Sequence, residues 1–153
     1  MGNQAQHGHL GFERAYMEDA LLTLWNGLPI FLIHSGLSLL ILVAGVYIYT
    51  RITGHDEIAL IRNGNIAAAV SLSGAVIGMA LPLAFSLSVS VSLWDIVVWG
   101  VVALVLQLLA YRLVDMFLKD MSGRIKAGEI GPAITLLSFK LGTAFINSAA
   151  ITG

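Results

Sequence analysis

The sequence predicts an all-α membrane protein: four transmembrane helices built as a parallel two-helix repeat, with short in-plane elbow helices. Three observations predict it. Apolar residues make up 58% of the 153-residue chain and charged ones 11%, and the mean hydropathy is +0.87, a balance unlike that of soluble domains. The charges are segregated, with none in residues 20–50, 66–94 or 96–111, and only Lys140 beyond residue 129. Finally, the stretch IRNGNIAAAVSLSGAVIGMA (Ile61–Ala80) is echoed 64 residues later by IKAGEIGPAITLLSFKLGTA (Ile125–Ala144).

The chain begins with a polar segment, residues 1–27, which has an amphipathic tendency around Phe12, Tyr16, Leu21, Leu24 and Trp25. A disordered start followed by a short interfacial helix is expected. His7 and His9 read as part of a solvated tail, with metal binding as the alternative. Glu13, Glu18 and Asp19 outweigh Arg14, so the segment lacks the basic start of a cleaved signal peptide, and the first span is expected to remain as an anchor. The chain has no cysteine, which excludes disulfides, thiol catalysis and thiolate metal sites.

The uncharged runs match the roughly 20 residues that a helix needs to cross a bilayer. Spans are expected at 28–49, 66–85, 93–118 and 130–151, within a transmembrane domain of residues 28–153 made of repeat units 28–92 and 93–153. Between the first two spans, Thr53 and Asp56 have the capping-box spacing, and Ile58 and Ile61 share a helical face. Gly64 is placed to end this short helix in the left-handed conformation, and Asn65 to cap the next one. The second elbow repeats the pattern with Gly128, followed by Glu129 at a positive helix N-terminus and Pro132 in the first turn. SLSVSVSL (Ser86–Leu93) alternates with period two, yet an unpaired strand has no place in lipid. It is read as the exposed turn between spans two and three, with Ser92 and Asp95 at capping-box spacing.

Each repeat unit crosses the membrane an even number of times, so both copies share one orientation about an axis along the membrane normal. Pairs at the 64-residue offset include Gly36/Gly100, Tyr47/Tyr111, Gly64/Gly128, Leu72/Leu136 and Gly78/Gly142. In the second span Ala67, Ser71, Gly74 and Gly78 fall on one helical face, and Gly131, Thr135, Ser138 and Gly142 are their counterparts in the fourth. Small residues at this spacing let helices pack closely in a membrane, so the two spans are expected to meet through these faces. A pore-lining stripe is the alternative. The elbows hold Arg51, Arg62, Arg112, Lys119, Arg124 and Lys126, whereas the N-terminal segment has only Arg14. This asymmetry predicts cytoplasmic elbows and periplasmic termini.

DEIALIRNGNIAAAVSLSGAVIGMALPLA, followed by SVSLWDIVVWGVVALVLQLLAYR and the second glycine elbow, resembles the YjfL-like family of small bacterial inner-membrane proteins, Domain of Unknown Function 350. The resemblance covers roughly residues 28–151. It rests most on Asp56–Glu57, Gly64–Asn65, Gly74, Gly78 and Pro82; Glu129 departs from the pattern where the first copy has Asn65. It implies a location in the bacterial inner membrane and association with envelope-stress and polyamine-related proteins, and it supplies no catalytic residue.

Two features invite a chemical reading. His55–Asp56–Glu57 are consecutive, so on a helix they point in different directions and do not converge on one ion. A cap and solvated face is the reading preferred for them. Lys140 lies ten residues into the fourth span, where a charge costs about 2.5–3.5 kcal/mol on insertion scales. It points away from the small-residue stripe, with Thr143 and Asn147 on its own face; Val76, Met79 and Leu83 are their counterparts in the first copy. Gln107 and Ser71 or Ser73 match its depth, and His34 with Ser38 lies nearer Asn147. Snorkelling to the headgroups or oligomer contact is one reading, a transport or sensing role the other.

No nucleophile–base pair, phosphate loop or metal-ligand spacing appears, so neither an enzyme nor a cofactor is expected. The partners expected are the lipid bilayer, further copies or other subunits of a membrane complex, and a cytoplasmic protein; nucleic acid is not. The function expected is that of a membrane subunit recruiting partners or lipid at the cytoplasmic face. A small oligomeric transporter or channel using the Lys140 stripe is the alternative.

Overall fold

The computed structural model describes the backbone of residues 2–54, 56–89 and 92–152, and the side chains of 16–54, 56–89 and 92–151. Among the described residues the structure is helical throughout, with no strand. The helices are α1 (Gly2–Ile52), α2 (Glu57–Arg62), α3 (Ile66–Val89), α4 (Leu93–Leu118), α5 (Met121–Lys126) and α6 (Ile130–Thr152). Four stretches are long and apolar enough to cross a membrane: Tyr16–Ile52, Ile66–Val89, Leu93–Leu118 and Ile130–Ile151. Two of them run past the expected spans. The backbone of residues 2–27 belongs to α1 and forms no separate interfacial helix after a disordered start. The side chains of His7 and His9, and the whole of His55, lie outside the described residues. Ser86–Val89 extend α3, which corrects the expected turn: a helix satisfies its own backbone groups in lipid, whatever the alternation of its side chains.

The chain divides into two units, Met1–Gly36 and Leu37–Gly153. In the first, nearly every described large apolar side chain is exposed, Trp25 by 74%.

The second unit is organised around α3, which packs most extensively on α6, then on α4, and supports both short helices. The reason is legible in its residues. Ala67, Ser71, Gly74 and Gly78 are all buried, together with Ala68, Ala75 and Met79. A Cβ on Gly74 would stand 2.9 Å from Leu137 Cδ1 and 3.1 Å from its Cα, so only glycine permits this approach of α3 to α6. Dispersion across such close backbones replaces the hydrophobic effect, which lipid does not supply. The α1 segment of this unit reaches the core through side chains: Gly100 faces Ile41, Gly45 faces Met79, and Tyr49 is fully buried.

The expectation for α6 needs correction. Gly131, Ser138 and Gly142 are exposed and Thr135 is only partly covered, and a Cβ on Gly131 or Gly142 would meet nothing within 4 Å. Within the chain α6 packs through the opposite side, where Ala133, Leu136, Lys140 and Ala144 are buried. The two helices therefore meet through non-equivalent faces, small residues on α3 receiving larger side chains from α6.

The two short helices have clear starts and stops. Asp56 caps α2, its Oδ1 accepting from Ala59 N at 3.0 Å, and Asp120 caps α5, accepting from Gly123 N at 3.1 Å. Asp56 thus takes the N-cap position expected for Thr53. Gly64 and Gly128 both have φ +81°, a conformation that costs side-chain-bearing residues about 1–2 kcal/mol. Asn65 then does two things. Its Oδ1 accepts from Ala68 N at 2.9 Å, capping α3, while its Nδ2 donates to Ile125 O at 2.9 Å, at the end of α5. Its counterpart Glu129 instead accepts from Arg124, at 2.7 Å. Ser92 caps α4 through Trp94 N.

Candidate functional site

Lys140 has no exposed surface. Side chains on a helix tilt towards its N-terminus, so the lysine stem runs down α6 towards the short helices α2 and α5 and stays inside the protein. Nζ donates to Ser71 O at 2.8 Å. Ser71 lies five residues from the start of α3 and Lys140 ten from the start of α6, so the stem bridges about 7 Å of helix rise. Snorkelling to the headgroups is thereby replaced by an internal path. The ammonium also lies 4.4 Å from the centroid of the Tyr49 ring, a cation–π distance that is most favourable where water is excluded.

From Tyr49 the cluster continues towards the start of α2. The Tyr49 and Tyr111 rings meet edge to face, 6.2 Å apart at 89°, the geometry that aromatic quadrupoles prefer. The Tyr111 hydroxyl donates to Thr53 O at 3.0 Å and so satisfies a carbonyl at the end of α1. The Thr53 hydroxyl donates to Glu57 Oε1 at 2.8 Å. Glu57 is itself fully buried, and its carboxylate lies within electrostatic reach of Lys140, Tyr49 and Tyr111. A buried cation and a buried carboxylate thus share one water-poor interior, where neither is tolerable alone.

The other side of Lys140 is held from α4. Gln107 Nε2 donates to Gly78 O at 3.1 Å and to Lys140 O at 3.2 Å, so one amide ties three helices. Its Oε1 is buried without a hydrogen-bond partner, as is Ser71 Oγ. The Tyr49 hydroxyl lies beside Ser71 Oγ without good hydrogen-bond geometry. Gly78 makes room for the amide: a Cβ there would fall 2.5 Å from Gln107 Nε2.

The residues expected around Lys140 are only partly gathered. Gln107 and Ser71 touch it. Ser73 is exposed and bonds back to Ala69 O. Thr143 is half-buried and donates to Phe139 O on its own helix. Asn147 is buried one turn and more beyond, its Nδ2 without a hydrogen-bond partner. His34 belongs to the first unit, where its Nδ1 lies 2.9 Å from Ile30 O.

The residue that sequence reasoning missed is Glu57, taken for a solvated neighbour of a cap. The signal was present. Leu60 and Ile61 follow it at i+3 and i+4 on one face, and both are partly buried, whereas Ile58 is 53% exposed. A carboxylate on the apolar face of a short amphipathic helix calls for a buried opposite charge or hydrogen-bond donor; here the Thr53 hydroxyl donates to it and Lys140 lies within electrostatic reach. Among the described residues there is no group of three or more His, Cys, Asp or Glu arranged to hold a metal ion.

Comparison with known proteins gives the chain a family. The chain is 33% identical over 107 residues to the UPF0719 inner membrane protein YjfL of Escherichia coli K12, covering 70% of this chain and 81% of that protein. It matches the UPF0719 inner membrane protein YjfL of Escherichia coli O157:H7 to the same extent. No solved structure matches. The family model described as Domain of Unknown Function (DUF350) matches residues 23–151, taking in most of the first apolar helix, the other three and the whole polar cluster, and the chain belongs to that family.

Proposed function

We propose that this chain is a non-enzymatic, multi-pass inner-membrane subunit whose paired elbows present a rigid basic platform to a cytoplasmic protein partner. The single observation that carries the reading is the double restraint of the elbows. Asn65 ties the end of the first to the Ile125 carbonyl of the second, and Glu57, at the start of α2, is fully buried within reach of Lys140. A restrained platform loses little conformational entropy when a partner docks. Arg62, Lys119 and Lys126 are exposed around it, and the density of Lys and Arg favours this side as the cytoplasmic one, with both termini periplasmic.

The same elements support the parallel repeat: α2 and α5 begin 64 residues apart, as do α3 and α6. The name of the Escherichia coli relative supports the inner membrane as location. The lack of a nucleophile–base pair in the sequence supports a non-enzymatic role, and the family resemblance supports envelope stress as its setting. The exposed glycines of α6 leave a close-packing face for another copy or another subunit.

The test is capture of cytoplasmic proteins by the nanodisc-embedded chain, compared with Arg62→Glu/Lys126→Glu. Saturable capture of one protein, lost in the charge-reversed variant, is the expected result. Capture of anionic vesicles without any protein would assign the platform to lipid, and unchanged capture by the variant would refute it.

A second reading has its own support. A lysine and a glutamate enclosed together near the membrane interior are a common basis for ion or proton coupling. In this reading the chain is a small oligomeric transporter or channel, and ion flux into liposomes that Lys140→Met abolishes would favour it over the platform.

A further inference from the structure

A groove of about 400 Å³ is lined by α4 together with Thr143 of α6, and neither Lys140, Gln107 nor Tyr111 belongs to its lining. Leu106, Ala110, Leu113 and Met116 line it from α4 and Thr143 from α6. The Thr143 hydroxyl already donates to Phe139 O on its own helix. From Met116 to Leu106 is about 15 Å of helix rise, half of a hydrocarbon core of about 30 Å. The groove therefore has the length of one leaflet.

Its mouth is charged. Arg112 lines the groove, and its side chain is exposed. It stands six residues before the end of α4, about 9 Å of rise, at the border between hydrocarbon and headgroups. The one carboxylate a helical turn away, Asp115, accepts a 2.8 Å hydrogen bond from Met121 N at the start of α5. No carboxylate among the described residues forms an ion pair with Arg112. A guanidinium at this depth, facing lipid, calls for an anion that can come to it, and its planar fork matches a phosphate.

The geometry points to an anionic phospholipid bound in this groove, one acyl chain against Leu106, Ala110 and Leu113 and its phosphate on Arg112. A zwitterionic lipid fits the same slot, but its ammonium opposes the arginine, so the site selects for net negative charge. The site is separate from the elbow platform and does not depend on that reading.

Native mass spectrometry of the full chain, released from detergent containing either phosphatidylglycerol or phosphatidylcholine, tests the assignment. Wild type should retain phosphatidylglycerol about tenfold more tightly, the scale of one charge-assisted contact. Arg112→Gln, at an exposed position that leaves the fold intact, should lower retention to the phosphatidylcholine level, and Arg112→Lys should keep part of it. Arg62→Gln/Lys126→Gln should leave retention unchanged, and inorganic phosphate should not compete. Equal retention of the two lipids by wild type, or undiminished retention by Arg112→Gln, would overturn the proposal. So would loss of retention in the elbow variant, or displacement by inorganic phosphate.

Discussion

Gln107 gives one amide hydrogen to the carbonyl of Gly78 and the other to that of Lys140, so a single α4 side chain fastens α3 to α6. The fastening exists because position 78 has no side chain. A methyl there would fall 2.5–2.6 Å from the amide atoms.

Gly78→Ala should therefore push Gln107 out of place and destabilise the bundle by about 1–3 kcal/mol, the usual cost of overpacking. Gly142→Leu, whose new side chain meets nothing within 4 Å of its Cβ, should change stability of the isolated chain by no more than about 0.5 kcal/mol. Unfolding in mixed micelles checks both values. A change in oligomeric state caused by Gly142→Leu alone would identify the α6 stripe as a contact between chains.

Asn65→Ala removes the cap of α3 and the tie to Ile125 in one step. Loss of a cap costs about 0.5–2 kcal/mol. The tie has a separate signature, because without it α5 is free to open independently of α3. Amide exchange in Met121–Lys126 should become faster in Asn65→Ala than in a variant that disrupts a cap elsewhere, such as Ser92→Ala. Equal exchange in the two variants would show that the tie restrains nothing.

These residues show why the sequence was readable in some places and opaque in others. Gly64, Gly128 and the cap made by Asn65 act through local backbone geometry, which depends on the few residues around them, so these roles could be read directly, whereas the tie from Asn65 to Ile125 depends on a distant partner and could not. Lys140 was conspicuous because a charge in a long apolar run has no local explanation. Packing faces are different, since they depend on what lies opposite. The small residues of α3 make room for Leu137, Lys140 and Gln107, and the similar stripe on α6 faces away from the core. Glu57 was hidden because its neighbour Asp56 offered a sufficient local explanation for the acidic pair.

The proposed orientation rests on the distribution of Lys and Arg and is directly measurable. A fluorescent protein fused after Gly153 should stay dark, and alkaline phosphatase at the same place should be active, if both termini are periplasmic. Moving the positive charges should weaken that preference: Arg62→Gln, Arg124→Gln and Lys126→Gln together should yield a mixed population. A bright fluorescent fusion in the wild-type chain would invert the topology and put the elbows outside.

The buried Lys140 and Glu57 provide the most discriminating experiment. Removing one of two buried opposite charges that lie within electrostatic reach leaves the other enclosed with less compensation, at up to about 3–5 kcal/mol. Lys140→Met and Glu57→Gln should each destabilise the chain, although Glu57→Gln keeps an oxygen for the Thr53 hydroxyl now bonded to Oε1 and should cost less. In the double variant neither charge remains, and similar volumes are kept. It should therefore be more stable than the sum of the single losses predicts, with a coupling of about 0.5–3 kcal/mol. Strict additivity would mean that the two charges do not depend on each other. The folded double variant also separates the two functional readings. A transporter that works through the Lys140 charge should have lost its flux, whereas a platform keeps the Asn65 tie to Ile125 and its exposed charges, and should retain capture, weakened only as far as the lost Glu57 restraint loosens α2.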